Sequence, residues 1–305
     1  MGRLEGKSIV VTGAARGLGE AYARAAVAEG AAVIVNDIDA EPADALVAEL
    51  RGAGARVIAH NGDVSAWDFA EGLIARCIDA FGRIDGLVNN AGVFFIKPMD
   101  EQDEASFRRQ VEVNLLGQAW CGIHALRRMM PQGSGSIVNT FSGAHAGSAL
   151  RCAYSSATAG IAGLTYSWAS ECAGSGVRVN AIAPIANTRE IEESAEIFER
   201  LHREGRVSAA FTKLRESMLG LTPAMNAPMV VFLLSDAAAA INGQALRFTG
   251  KELMLLSRPA VRSPALSEDE WTVDRIEAAF AGPWQDKLLP LGLAEFDMTL
   301  VKTGG

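Results

Sequence analysis

The sequence predicts an α/β fold, a doubly wound parallel sheet of about seven strands in a single domain with a lid insertion and a C-terminal extension. Three observations predict it. Short β-branched runs alternate with amphipathic runs over the first 185 residues, the pattern of right-handed βαβ crossovers. A glycine-rich turn closes the first strand-like run. Apolar residues make up 49% and charged residues 21% of the 305, enough to cover a sheet on both faces.

The elements follow in order. Ser8–Thr12 is a β-branched strand ending at Gly13, and a helical pattern continues through Glu29. Ala32–Asp37 is the second strand and Val57–His60 the third. In Trp67–Phe81 the apolar side chains fall at 70, 73, 74, 77, 78 and 81, the spacing of one helical face. Ile84–Asn89 is a fourth strand, Phe107–Met130 a long helix and Ser136–Phe141 a fifth strand. Tyr154–Cys172 is a helix rich in Ala and Gly, and Val177–Ala183 a sixth strand. The alternation then stops. Ile185–Thr222 is polar and charged, and predicts a largely helical insertion over about 185–224, long enough to act as a lid. Met225–Ser235 is a further helix and Gln244–Phe248 the last strand, which divides the chain into a domain over 1–250 and an extension over 251–305. Within the extension, Ser267 and Glu270 have the spacing of a capping box ahead of Trp271, Ile276 and Phe280.

Composition excludes several functions. The net charge of -8 argues against a nucleic-acid surface or an anionic membrane. No apolar stretch reaches the roughly 18 residues a membrane helix needs. Cys77, Cys121, Cys152 and Cys172 lack metal-ligand spacing, so reduced, packed thiols and no metal are expected. The short polar start, Met1–Lys7, leads directly into the first strand, and a cytoplasmic protein acting on a small molecule is the expectation.

The chemistry begins at the glycine-rich turn. Thr12-Gly-Ala-Ala-Arg-Gly-Leu-Gly19 joins a strand to a helix. Gly13 allows a sharp turn, while Gly17 and Gly19 remove Cβ atoms where a pyrophosphate and the sheet come close. Free N–H groups at the helix start would face the phosphates. This is the phosphate loop of a Rossmann-type fold. Asp37 ends the second strand about twenty residues on, where a carboxylate accepts hydrogen bonds from a ribose and repels a 2′-phosphate. NAD is therefore favoured over NADP, although Arg16 in the loop would tolerate a phosphate. The competing role for Asp37 is a helix start.

Together with Asp63-Val64, Asn89-Asn-Ala-Gly92, Asn114, Ser142, Tyr154 and Val179-Asn-Ala-Ile-Ala-Pro184, this turn resembles the short-chain dehydrogenase/reductase family over about residues 5 to 250, and most closely its NAD-linked members with an extended C-terminus. The resemblance implies that Asp63 and Val64 hold the adenine and that Asn90, Ala91 and Gly92 line the cofactor cleft. It implies that Pro184, with Thr188 beyond it, approaches the nicotinamide, and it adds Leu18, Ile38, Val113, Tyr154 and Ile185 to the cofactor contacts. It also implies a homodimer or homotetramer, built through the helices Phe107–Met130 and Tyr154–Cys172.

The same resemblance assigns the chemical site. A Tyr acts as acid/base, a Ser orients the substrate oxygen, an Asn holds a water on the proton path, and a Lys four residues after the Tyr binds the nicotinamide ribose and lowers the Tyr pKa. Tyr154, Ser142 and Asn114 match three of these. Thr158 stands at the Lys position, one helical turn from Tyr154 on the same face. A phenol titrates near 10, and without a nearby cation it is a poor base at neutral pH. The nearest lysines in sequence are Lys97 and Lys213, and neither is near this helix. The interval from Ser142 to Tyr154 is one residue shorter than is common in the family, and Ile185 follows Pro184 where Gly is usual. His145 is a substitute acid/base candidate. Arg151 is expected to face solvent, or otherwise to recognise substrate charge. Phe94, Phe95 and Phe141 are candidates for an apolar substrate wall, with core packing as the alternative.

Three functions follow. One is an NAD-dependent oxidoreductase interconverting a partly apolar secondary alcohol and ketone. Another is a redox-neutral lyase, isomerase or cyclase on the same scaffold. The third is a non-catalytic NAD-binding subunit.

Overall fold

The computed structural model describes residues 2–188, 194–206, 220–259 and 266–288. The insertion predicted over 185–224 therefore lies partly outside the described residues, as does Lys213. The chain divides into two compact units, Met1–Leu256 and Ser257–Gly305.

The first unit is built on β1 (Ser8–Thr12), α1 (Gly17–Ala28), β2 (Ala32–Asn36), α2 (Ala40–Gly52), β3 (Val57–Ala59), α3 (Trp67–Phe81) and β4 (Gly86–Asn89). There follow α4 (Glu104–Gln110), α5 (Gln118–Gln132), β5 (Gly135–Thr140), α6 (Cys152–Glu171) and β6 (Val177–Pro184). The unit closes with α7 (Ala195–Arg203), α8 (Ala227–Leu234), β7 (Ala245–Phe248) and β8 (Leu253–Leu256). The strands run in the order β3-β2-β1-β4-β5-β6-β7-β8. All neighbours are parallel except β7 and β8.

Among the described residues the sheet has eight strands where about seven were expected, and the first unit runs to Leu256. The added strand, Leu253–Leu256, is antiparallel to β7 and alternates exposed with half-buried residues. Such an edge strand has only one neighbour, so its apolar signal is weak. The sequence also showed no clear signal for α2, which buries only Ala43, Leu46, Val47 and Leu50.

Strand side chains alternate between two cores. Ile9 and Val11 join Val33, Val35, Tyr22 and Leu233 on one face. Val10 joins Ile34, Leu73, Ile74, Leu87 and Ile137 on the other. The near-continuous apolar strands follow from burial on both sides. The α3 stripe of Ala70, Leu73, Ile74 and Cys77 is buried as its spacing predicts.

The predicted long helix over 107–130 is interrupted. Between α4 and α5, Val111–Gly117 forms a π-helical turn, a feature that widens the helix and often marks a functional site. Periodicity alone does not reveal it, since the apolar spacing changes by a single residue.

In the second unit, α9 (Val273–Ala281) is capped by Thr272, whose hydroxyl accepts the N–H of Arg275. The capping box predicted at Ser267 and Glu270 is thus displaced. Glu270 instead offers its backbone carbonyl to the Arg275 guanidinium at 2.6 Å, and Thr272 is the hydroxyl in reach of the free N–H groups. Among the described residues, no helix is long and apolar enough to cross a membrane.

Candidate active site

β1 lies between β2 and β4, so the chain builds one half of the sheet and returns to build the other. The carboxyl ends of β1 and β4 therefore open onto the switch-point crevice where such folds take ligands. The glycine turn and the Asn89–Gly92 segment meet there. Thr12 Oγ1 accepts the N–H groups of Asn90 and Ala91 at 3.0 and 3.1 Å. The Asn90 side chain donates to the carbonyls of Thr12 and Gly13 at 3.1 and 3.0 Å. These bonds lock the two loops together, and Thr12 is a positioning residue that the motif alone did not single out.

The glycines have separate jobs. Gly13 has φ +61°, and a Cβ there would lie 2.7 Å from the Ala91 Cα. A Cβ on Gly19 would lie 2.0 Å from the Gly13 carbonyl oxygen. These two glycines pack the turn against itself. Gly17, at φ +58°, faces open space. No side chain caps the start of α1, so its N–H groups remain available to an anion. The cradle fits a pyrophosphate. Leu18 packs on the core beside it.

At the rim, the Asp37 carboxylate accepts the N–H of Ala15 at 2.9 Å and that of Asp39 at 3.1 Å. It faces the phosphate loop, and Asp39 rather than Asp37 begins α2. Arg16 is drawn onto Asp39 at 2.6 Å. Ile38 is exposed at 61%. Asp63 accepts the Ser65 N–H and hydroxyl at 2.9 and 2.7 Å and pairs with Arg109 at 2.8 Å. Partial burial opposes ionisation of Asp63, but these partners hold its carboxyl below the ordinary range. Val64 is buried against the place of a Gly117 Cβ, and Val113 is buried on the π-helical turn.

Asn114 holds the loop after β4. Its side chain accepts the Val93 N–H at 2.7 Å and donates to the Val93 carbonyl at 2.9 Å. Each end of the amide thus makes one bond that pins the loop following Gly92, leaving one N–H and one carbonyl lone pair over. Gln110 holds the next turn of that loop through the Phe95 N–H at 3.2 Å.

The catalytic candidates come from the ends of β5 and α6. Ser142 begins a short 3-10 turn, Gly143–Ala146, that packs on α6, and its Oγ accepts the Ala144 N–H at 3.2 Å. His145 lies with Nδ1 2.9 Å from the Ser142 carbonyl oxygen and its ring 5.2 Å from that of Phe141. A carbonyl only accepts, so Nδ1 carries the proton and the ring braces the serine turn. Tyr154 lies in the first turn of α6 with its ring edge-on to Phe94, centroids 4.8 Å apart. Phe94 is therefore a wall of the site, whereas Phe141 is buried in a core cluster with Ile161 and Ala181 and Phe95 is exposed at 38%.

Thr158 is 2% exposed. Its hydroxyl turns back onto its own helix, 2.9 Å from the Tyr154 carbonyl and 3.2 Å from that of Ser155. As a donor it is committed to the backbone. Two expectations about nearby cations are corrected. Lys97 is brought beside α6, its N–H donating to the Leu150 carbonyl at 2.9 Å, but its ammonium pairs with Asp103. Arg151 does not face solvent. It is half-buried, with its guanidinium carbon 5.2 Å from the centre of the Phe94 ring. Sequence separation hid both, because β4 and α6 meet only in the folded sheet.

At the end of β6, the Ile185 N–H donates to the Phe248 carbonyl and the Ile185 carbonyl accepts from Asn226, both at 3.0 Å. Pro184, Ile185 and Thr188 are half-buried. From the insertion, Arg200 of α7 pairs with Glu101 at 2.8 Å, and Arg206 pairs with Glu101 at 2.9 Å and with Asp100.

The family model for short chain dehydrogenases matches residues 7–196. The cis-4-hydroxycyclohexanecarboxylate dehydrogenase of Sinomonas cyclohexanicum is 48% identical over 177 residues, 57% of this chain and 71% of that one. The D-threitol dehydrogenase of Mycolicibacterium smegmatis is 37% identical over 253 residues, 81% of this chain and 93% of that one. The crystal structure of a short chain dehydrogenase from Mycobacterium avium superposes with a TM-score of 0.77 at 30% identity, covering 97% of this chain and 98% of that one. The chain belongs to the short-chain dehydrogenase/reductase family. It is an oxidoreductase enzyme of the kind that uses a nicotinamide cofactor. The redox-neutral and non-catalytic alternatives find no support among these relatives.

Proposed function

We propose that the chain is an NAD-dependent dehydrogenase/reductase for a partly apolar, alicyclic secondary alcohol and its ketone. The observation that carries this reading is the edge-on contact of Tyr154 with Phe94. It places the phenol beside the loop that Asn114 pins and that Thr12 and Asn90 tie to the phosphate cradle. The ring alcohol in the name of the Sinomonas relative supports the substrate class.

In this reading Gly13–Gly19 and the start of α1 hold the pyrophosphate, and Asp37 takes the adenosine ribose. Asp63 and Val64 border the adenine. Asp37 supports NAD over NADP, because a 2′-phosphate would meet its carboxylate, and Arg16 is already drawn to Asp39. A nicotinamide held there would supply the hydride exchange with the carbinol carbon. Tyr154 takes the hydroxyl proton in oxidation and returns it in reduction. Ser142 Oγ already accepts an N–H from Ala144, so its own proton is available to the substrate oxygen. Phe94 lines the apolar side. The insertion carrying α7 acts as a lid, and the protein works in the cytoplasm as a homodimer or homotetramer.

The test uses purified protein, NAD or NADP, and a panel of substituted cyclohexanols, followed by the absorbance of the reduced cofactor. NAD-linked turnover that falls about 10²–10⁴-fold in Tyr154→Phe is the expected result. Turnover that survives in Tyr154→Phe, or that prefers NADP, would overturn the respective half of the reading.

A further inference from the structure

The family's ammonium is absent at position 158, and the Thr158 hydroxyl is bound into its own helix. A different cation, Arg151, lies near Tyr154. Arg151 is the residue that caps the start of α6, three positions before Tyr154. Its guanidinium lies over the Phe94 ring, which packs T-shaped against the Tyr154 ring. One aromatic ring is thus shared between the cation and the phenol. The Arg151 Nε is shielded from solvent, so the charge acts across a poorly screened space.

This placement is locally unfavourable in three ways. A cation at a helix N-terminus opposes the macrodipole. A half-buried guanidinium loses hydration, and burial pushes Arg151 below its ordinary pKa while the nearby Tyr154 works the other way. The residue before it, Leu150, has φ +68°, a left-handed conformation that a branched side chain rarely adopts. The Lys97 N–H clamps the Leu150 carbonyl at 2.9 Å and keeps the turn in that shape. Costs that cluster at one residue beside the reacting group point to a function for that residue.

We propose that Arg151 is the resident cation of this active site, supplying beside Tyr154 the positive charge that Thr158 cannot. It acts through Tyr154, as a positioning residue that favours the phenolate, and the inference rests on Tyr154 being the acid/base. Among the described residues, the other charges on elements packed near α6 have partners of their own. Lys97 pairs with Asp103, Arg108 with Glu104, and Arg109 with Asp63. Glu112 on the π-helical turn acts on Arg108. Arg178 donates to the Ser235 carbonyl, and Arg127 lies over Trp67. His145 is the remaining titratable neighbour from the serine turn, and its Nδ1 is held on Ser142.

The test reads Tyr154 directly and needs no substrate. The chain has three tyrosines, and burial pushes Tyr22 far up. Tyrosinate absorbance is titrated in the full-length protein and in Tyr154→Phe, and the difference is the Tyr154 curve. The same pair is then measured on an Arg151→Met background. Tyr154 should titrate below the ordinary phenol value of about 10 in the native protein. It should move up by about one unit or more, a tenfold loss of acidity, in Arg151→Met. Arg151→Lys should keep most of the native behaviour, and adding Thr158→Lys to Arg151→Met should restore it, which guards against a merely misfolded variant. An unchanged Tyr154 curve in Arg151→Met overturns the proposal. So does a native curve at or above the ordinary value, and so does an unmoved curve with activity lost only on carboxylate-bearing alcohols, the mark of a substrate-charge reader. Failure of Tyr154→Phe to reduce turnover would instead sink the acid/base reading, whatever the titration shows.

Discussion

Asp37 is the residue on which the proposed choice of NAD over NADP rests. Its carboxylate is fixed by two backbone N–H groups, from Ala15 and Asp39, so it cannot swing away from an incoming adenosine. Hydrogen bonds to a charged group contribute about 1.5–3 kcal/mol. Asp37→Ala should therefore raise the KM for NAD by about ten- to a hundredfold and narrow the preference over NADP, as read by initial rates with each cofactor. At the same scale, Asn114 was legible as a site residue but not its partner. Its type and position follow from the resemblance, whereas the double bond to Val93 needs the loop after β4 to fold back on the π-helical turn.

At the scale of elements, α6 carries the proposed acid/base, Tyr154, and the departure at Thr158. Thr158 is buried and its hydroxyl serves only the carbonyls one turn back. Thr158→Val is nearly isosteric, so it should leave the melting temperature and the KM for NAD close to native, within about 1 kcal/mol in stability. A large loss of cofactor affinity in that variant would show that the hydroxyl reaches the cofactor after all. α7 is tied to the segment before α4 by Arg200 and Arg206 on Glu101 and Asp100. Exposed ion pairs are each worth only about 0.2–1 kcal/mol, but here one carboxylate serves two arginines. Glu101→Gln should speed amide exchange in Ala195–Arg203 while β1 stays protected, a contrast that hydrogen exchange by mass spectrometry resolves. The helix α3 was readable from its apolar stripe. The π-helical turn and β8 were not, since one is a change of hydrogen-bond register and the other an edge strand with little buried surface.

For the whole molecule, stability and pH are linked through buried histidine. His124 is buried in the contact between α3 and α5, its ring 4.3 Å from Trp67. Burial holds it below its ordinary value, so the unfolded chain takes up a proton first. The stabilisation from a neutral His124 is full above about pH 6.5 and is lost as the pH falls from there through the folded pKa. The melting temperature should drop between pH 7.5 and 5, and His124→Gln should flatten part of that slope. An unchanged slope in His124→Gln would assign the effect to other groups.

The sequence by itself determined the sheet and its cofactor crevice. Alternating apolar runs fix which elements bury both faces, and the glycine turn with Asp37 and Asn89–Gly92 states a phosphate site in backbone terms that no distant residue can cancel. It also showed that the ammonium at position 158 is missing. Only the tertiary structure decided what surrounds Tyr154. Phe94 and Lys97 come from the loop after β4 and Leu150 from the loop after β5, and the parallel crossovers bring those two loops together at one end of the sheet. Arg151 follows Leu150, whose left-handed backbone is held by the Lys97 N–H, and its guanidinium lies over Phe94. Electrostatics depends on distance and burial, and neither is written in the order of the residues.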